Sequence, residues 1–333
     1  MPTNRQLRLQ TRPKGLLAPG DLQLAETPVP ELQDGQALAK VKYLSIDPTM
    51  RVWMAVDSYL PAVGIGDVMR AGGLAEVIES RHTQFKKGDK IVGLTGFQDY
   101  VVIEAQSKLP FQKVPSIPFI PDTLFLGVLG MTGITAYFGM TEIAKPQKGE
   151  TLVVSAAAGA TGSVAGQIGK IFGCRVVGIV GTDDKCAWLT GELGFDAAIN
   201  YKQPDWKEKL AAATPNGIDI DYENVGGEIM EAVLNRMNLH GRVALCGLIS
   251  GYTNETSGPG NLGILIVKRL RVEGFLVLDY ASRFTEAATE LGKWKMMGKL
   301  KDRQTVVEGL EKAPEAINML FTGGNTGKLI VKV

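Results

Sequence analysis

Residues 155–170 read SAAAGATGSVAGQIGK and follow directly on the apolar run TLVV. Side chains this small carry little chemistry of their own. Their use lies in the backbone: a buried strand, a tight turn, and a helix N-terminus whose amides face an anion. A dinucleotide-binding turn is spaced G-x-G-x-x-G. Here the three positions are Ala157, Gly159 and Gly162, so alanine stands for the first glycine. Gly159 lets the backbone approach a pyrophosphate, and Gly162 lets helix and strand pack closely. Ala165, Gly166 and Gly169 allow the helix to lie near the sheet. The alternative is a Gly/Ala-rich strand–helix turn with no ligand. A P-loop is excluded, because no Gly-Lys-Ser/Thr follows.

The segments that follow favour the nucleotide. RVVGIVG, DAAINY, GIDIDYENVGG and GRVALCGLIS read as strands, alternating with the helical DDKCAWLTGEL, DWKEKLAAAT and EIMEAVLNRM. RLRVEGFLVLDY reads as a further strand and RFTEAATELGKWKMMGKL as a long amphipathic helix. Val/Ile/Leu runs alternating with helices predict a parallel sheet covered on both faces, an α/β doubly wound fold. The first 125 residues differ. Short β-type runs such as ALAKVKYLSI, AGGLAEVIES and DYVVIEA are separated by turn signals such as KKGDK, which predicts a mostly antiparallel β domain. The tail, GKLIVKV, is again a strand and is expected to return to that domain. The predicted layout is residues 1–125 plus 315–333 as one domain, and 126–314 as the nucleotide-binding domain between them.

Composition narrows the function. With 333 residues the chain is long enough for about two domains. It balances 36 basic against 35 acidic residues, which gives no electrostatic case for nucleic acid or an anionic membrane. The basic start, MPTNRQLRLQTRPKG, lacks the apolar region of a secretory signal. FLGVLGMTGITAYFGM is broken by Gly and Thr and reads as a buried helical region rather than a membrane span. Cys174, Cys186 and Cys246 lack paired spacing, so buried thiols in a reduced, cytoplasmic setting are expected.

The second strand bears on the choice of cofactor. NAD sites carry Asp or Glu at its end, for the adenosine ribose. Here the strand ends at Gly181 and continues TDDK, with no carboxylate at the expected place. Thr182 or Asp183 can cap the next helix. Lys185 could meet a ribose phosphate, or it could be a solvated lysine, and Asp183 and Asp184 weaken a decision on charge alone.

YLSIDPTMR, GMTGITAYFGM, AAAGATGSVAGQIGK, YENVGG and CGLISGY, in this order and spacing, resemble the zinc-free medium-chain dehydrogenase/reductases. Within them the similarity is to the prostaglandin, curcumin and 2-alkenal reductases, over essentially the whole chain. The resemblance implies a GroES-like β domain and a Rossmann domain, NADP(H) as cofactor, and reduction of the carbon–carbon double bond of α,β-unsaturated aldehydes and ketones. It also implies a homodimer. Residue by residue, Gly159, Ala160, Thr161 and Gly162 match the pyrophosphate loop. Lys185 and Tyr201 match residues at the ribose phosphate, and Asn224 one near the nicotinamide. Cys246, Gly247, Leu248, Ile249, Ser250 and Tyr252 match the loop under the nicotinamide. Phe275, Leu276 and Val277 match the segment beside it, and Asn325 a tail residue that reaches the cofactor. The family motif D-P-Y-M-R stands here as Asp47-Pro48-Thr49-Met50-Arg51. Thr49 and Met50 are then candidate pocket residues, with a threonine where a tyrosine is usual.

Zinc enzymes share this architecture, and a catalytic zinc needs three Cys, His or acid ligands. The chain has only His82 and His240, neither near a cysteine at ligand spacing, so no metal is expected. Scarce histidines also argue against a Ser-His-acid hydrolase. Charge on the substrate oxygen must then meet hydroxyl donors. The candidates are the nicotinamide ribose hydroxyl and Tyr252, which could instead merely pack on the cofactor. The proton for the α-carbon comes from Tyr252 or from water. A quinone reductase and a non-catalytic NADPH-binding protein are the alternatives. The loops 47–70 and 251–265 are expected to wall the substrate pocket, the second as a candidate lid.

Overall fold

The protein is described from a computed structural model, over residues 3–106, 110–115, 117, 120–253 and 258–333. The chain divides into two compact units, Met1–Leu126 with Gln304–Val333, and Gly127–Arg303.

The first unit opens with β1 (Thr3–Leu9), β2 (Leu22–Pro28) and β3 (Ala37–Ser45). Helix α1 (Thr49–Ala55) follows, then β4 (Gly72–Ser80), β5 (Lys90–Leu94), β6 (Tyr100–Ile103) and β7 (Gln112–Lys113). β1 and β2 form an antiparallel ribbon. β3 is the centre of the main sheet, antiparallel to β4 on one side and joined by β6. Alternation along β4 places Leu74 on one face and Ala75 and Val77 on the other, so both faces of the sheet are covered.

The second unit runs α2 (Met131–Phe138), β8 (Thr151–Ser155), α3 (Ala160–Ile171), β9 (Arg175–Val180), α4 (Asp183–Gly191) and β10 (Ala197–Asn200). It continues with α5 (Trp206–Ala213), β11 (Ile218–Glu223), α6 (Gly227–Leu234), β12 (Met237–Leu245), α7 (Gly263–Lys268), β13 (Arg271–Gly274) and α8 (Phe284–Met296). Its strands are parallel and ordered β10-β9-β8-β11-β12-β13. Numbered from β8, that is 3-2-1-4-5-6, the doubly wound order of dinucleotide-binding domains. The order reverses between β8 and β11, so ligands belong at the carboxyl ends of those two strands. β8 is buried throughout, as a strand with helices on both faces must be.

The chain re-enters the first unit with β14 (Gln304–Glu308), α9 (Ala313–Thr322) and β15 (Lys328–Lys332). β15 pairs antiparallel with β3, and β14 lies parallel beside β15. The return therefore begins at Gln304 rather than at the expected 315, because β14 needs β15 as its ladder partner. Another expectation is corrected at 269–280, which read as one strand. The strand stops at Gly274, opposite Leu245 where β12 ends, and a 3-10 segment covers Val277–Arg283. No helix among the described residues is long and apolar enough to cross a membrane.

Candidate active site

The turn after β8 is built for an anion. Ala156 holds a left-handed φ of 47°, a conformation that L side chains seldom adopt. It sends the chain back through Ala157 and Ala158 to Gly159, the N-cap of α3. No side chain caps α3 and its first turn holds no acid, so the amides of Ala160, Thr161 and Gly162 are left to an outside acceptor. A Cβ on Gly162 would stand 2.6 Å from the carbonyl oxygen of Ala156, whereas one on Gly159 would meet that atom at 3.2 Å and nothing else within 4 Å. Gly162 thus makes the turn possible, and Gly159 leaves it open. Ala157 replaces the first glycine because Gly178 on β9 gives it room: a Cβ on Gly178 would lie 2.9 Å from that of Ala157. Gly166 and Gly169 admit Phe195 and Leu152 against the helix.

At the end of β9 the structure gathers a second cluster. Thr182 caps α4 by accepting from the Lys185 amide. Tyr201 and Lys202 lie across from Gly181, where a Cβ would meet the Tyr201 ring at 3.2 Å and the Lys202 side chain at 3.5 Å. Burial lowers the pKa of Lys185, and the ammonium of Lys202 lowers it further. Two like charges held together favour a bound anion between them. Asp183, whose charge argued against that, accepts from Asn200 Nδ2 at 2.8 Å and sits in the first turn of α4, where a carboxylate is favoured. Lys202 was missed in the sequence, although it directly follows Tyr201 in INYK.

The third group lies at the end of β11. Asn224 donates from Nδ2 to the carbonyl of Ser155 and from its backbone amide to Ser155 Oγ, both at 2.7 Å, so it bridges the ends of β8 and β11. The loop after β12 hangs from the same turn. Cys246 and Gly247 amides donate to the Glu223 carbonyl, the Ile249 amide to Asn224, and the Ser250 amide and hydroxyl to Val225. The Tyr252 hydroxyl accepts from the Leu248 amide at 3.4 Å and lies over Gly247. Cys246 interacts with the Tyr222 hydroxyl, and burial pushes its thiol up to about 11. Phe275 packs edge-on to Tyr222, ring centres 6.4 Å apart. Val277 is buried, so it presents no side chain to a ligand and only its backbone can serve.

Thr49, Met50 and Asn325 belong to the other unit. Thr49 Oγ1 lies 2.9 Å from the Tyr59 hydroxyl, so a phenol that the sequence did not signal stands beside the threonine. Met50 is fully buried and corrects the pocket expectation: helical spacing turns Met50, Trp53 and Met54 of α1 into the core. Asn325 Nδ2 donates to the Gly327 carbonyl at 3.1 Å. Asp47 is paired with the buried Lys328, whose Nζ donates to it at 2.6 Å and to the Ile46 carbonyl at 2.9 Å. Of the loop 251–265, residues 254–257 lie outside the described residues, and the candidate lid with them. Among the described residues no three His, Cys, Asp or Glu side chains group to hold a metal. His82 Nδ1 accepts from the Gln84 amide, and His240 is exposed.

Residues 5–110 match the family described as the N-terminal domain of oxidoreductase, and residues 160–293 the family described as zinc-binding dehydrogenase. The chain is 42% identical to the NADPH-dependent curcumin reductase of Escherichia coli (strain K12), over 99% of this chain and 97% of that protein. It is 40% identical to the 2-alkenal reductase (NADP(+)-dependent) of Nicotiana tabacum, over 99% and 98%. The crystal structure of CurA in complex with NADPH from Vibrio vulnificus superposes with a TM-score of 0.93 at 40% identity, over 99% of each chain.

Proposed function

The chain belongs to the medium-chain dehydrogenase/reductase family, in the group of the curcumin and 2-alkenal reductases, and from that premise we propose that it reduces the carbon–carbon double bond of α,β-unsaturated aldehydes and ketones with NADPH. The observation that carries the choice of NADPH is the Gly181 corner: no carboxylate, and Lys185, Tyr201 and Lys202 together around it. When bound, NADPH supplies the hydride for the β-carbon of the substrate.

The remaining work falls to the chain. The amides of Ala160, Thr161 and Gly162 hold the pyrophosphate against the positive end of α3. Lys185 and Lys202 hold the ribose phosphate, and the ring of Tyr201 walls that side. The loop 246–252, fixed to the turn 223–227, orients the nicotinamide end, with Phe275 and Leu276 beside it. Tyr252 serves the substrate oxygen, where negative charge develops, together with the nicotinamide ribose hydroxyl that it orders; one such donor is worth about 2.7–4 kcal/mol. Hydroxyl donors are assigned this role, rather than a metal, because the described residues offer no ligand set. A homodimer is part of the proposal, supported by the open edge of β13 and by Ile266 and Val267 of α7, which are 80% and 63% exposed. Sedimentation at micromolar protein tests it, and a monomer there refutes it.

The experiment for the reaction is loss of reduced-nicotinamide absorbance with NADPH or NADH and four substrates: a medium-chain 2-alkenal, a phenyl-substituted enone, a quinone and the saturated aldehyde. Turnover of the enal or enone with NADPH, and not of the saturated aldehyde, is expected. Turnover of the quinone alone would replace this function by quinone reduction. NADPH binding with no turnover of any of them would leave a binding protein.

A further inference from the structure

β11 carries three acids, and two of them are fully buried where a strand covered on both faces should carry none. Asp221 and Glu223 are both 0% exposed. They stand two apart and so face the same side of the sheet. The ladder partners of Asp221 are Val153 on β8 and Val243 on β12, in the apolar core that Ile229, Met230 and Val233 of α6 also enter.

Their polar partners are unequal. Glu223 Oε1 accepts from Ser155 Oγ at 2.7 Å, from the Gly226 amide at 2.8 Å and from the Val225 amide. Glu223 Oε2 and both oxygens of Asp221 have no donor if the two groups are carboxylates. Neighbours on one face of the strand with these oxygens unmatched, they are placed to hydrogen-bond each other once one of them carries a proton. Two buried carboxylates side by side without a cation cannot both ionise.

We propose that Asp221 and Glu223 hold a single shared proton, and that Asp221 is thereby a positioning residue: it donates to Glu223, which fixes the turn 223–227 and through it the loop that carries Tyr252. The chain of bonds is continuous. Glu223 holds the amides of Val225 and Gly226, and the backbone carbonyls of residues 223–225 hold the amides of Cys246, Gly247, Ile249 and Ser250. The surroundings agree. Burial and the Glu223 charge both raise the pKa of Asp221 well above the usual carboxylate range. On the same strand Asp219 is occupied by the Thr151 amide and by Asn238. From β8 comes only the neutral Ser155, and from β12 Arg242, whose side chain is turned to Glu150 and the Ala144 carbonyl. The Cys246 thiol after β12 stays protonated. On α6, Glu228 is exposed and paired with Lys207, and Glu231 is half-buried.

The sign of the pH effect follows. The unfolded chain releases the Asp221 proton near pH 4, and the folded protein keeps it. This contribution to stability is full below that pH and falls as pH rises, about tenfold in the folding constant per unit, until the folded pair ionises.

The test uses the whole chain without cofactor. Infrared spectra at pH 7 are expected to show the carbonyl stretch of a protonated carboxyl, lost in Asp221→Asn. Urea unfolding between pH 5 and 7 is expected to show that Asp221→Asn gains on the parent by about tenfold per pH unit. A parent with no protonated-carboxyl band at pH 7, or a variant with the parent's pH slope, overturns the shared proton. Neither readout involves NADPH or a substrate, so both stand apart from the reductase proposal, on which only the positioning arm rests. There Asp221→Asn, still a donor to Glu223, keeps most of the turnover number, whereas Asp221→Leu lowers it about tenfold or more in folded protein. Equal turnover in the two variants overturns the positioning role.

Discussion

The two glycines of the phosphate turn make opposite demands, and replacing each by alanine separates them. In Gly162→Ala the new methyl lies 2.6 Å from the Ala156 carbonyl oxygen and 3.0 Å from the Ala157 Cα. Both atoms are backbone, so no side chain can swing away and the turn itself must open by several tenths of an ångström. Overpacking of this kind costs about 1–3 kcal/mol. In Gly159→Ala the nearest atom is 3.2 Å away and the backbone is extended, at φ −82° and ψ 173°, which alanine adopts freely. Its folding cost is about 0.5–1 kcal/mol, that of alanine in place of glycine at an N-cap. That methyl instead points where the pyrophosphate must come. Urea unfolding of cofactor-free protein and NADPH titration by fluorescence measure the two effects separately. Gly159→Ala is expected to lose no more than about 1 kcal/mol of stability while NADPH affinity falls at least about tenfold, or 1.4 kcal/mol. Gly162→Ala is expected to lose both. Equal destabilisation by the two variants, or unchanged NADPH affinity in Gly159→Ala, would refute this account of the turn.

Other outcomes test other parts of the molecule. Lys185→Ala and Lys202→Ala should each weaken NADPH about tenfold more than NADH in paired titrations, and equal weakening would remove the phosphate contact. Tyr252→Phe should lower kcat about tenfold or more with little change in NADPH affinity; an unchanged kcat would take Tyr252 out of the chemistry. Lys328→Met leaves Asp47, itself partly exposed, without its buried partner and should lower stability in urea by about 1–3 kcal/mol, and a loss under about 0.5 kcal/mol would show the pair to be dispensable. Cys246, with its thiol pushed up to about 11, should resist iodoacetamide at pH 7.5, as mass spectrometry of the labelled peptide will report. Labelling there at the rate of an ordinary exposed thiol would contradict the raised thiol pKa.

The alternation of apolar runs and helices in the second unit was legible because buried parallel strands must be apolar and their crossovers helical. The phosphate turn was legible for a similar reason: only small residues fit it. Compensation across strands was not. Ala157 could be seen, but Gly178, which makes room for it, is distant in sequence. Lys202, Tyr59 and Lys328 likewise gain their meaning only beside Lys185, Thr49 and Asp47. Met50 was misread because the motif DPTMR drew attention away from the helical spacing that turns it inward. The extent of the last return was missed because β14, rich in polar residues, has no mark of its own until β15 lies beside it. The acids of IDIDYE were read past as part of a strand, and which two of the three are fully buried shows only in the fold.

The return of residues 304–333 also sets a timetable for synthesis. β3, the central strand of the first unit, leaves the ribosome early, yet its neighbour β15 is made only after the whole of the second unit. Until then one edge of β3 lacks its final partner, while the second unit, whose residues 127–303 are contiguous, can fold on its own as soon as they emerge. An open strand edge is a template for wrong pairing. The lag between β3 and β15 thus defines when this polypeptide is exposed to aggregation, and any pause or early stop before residue 328 lengthens that exposure.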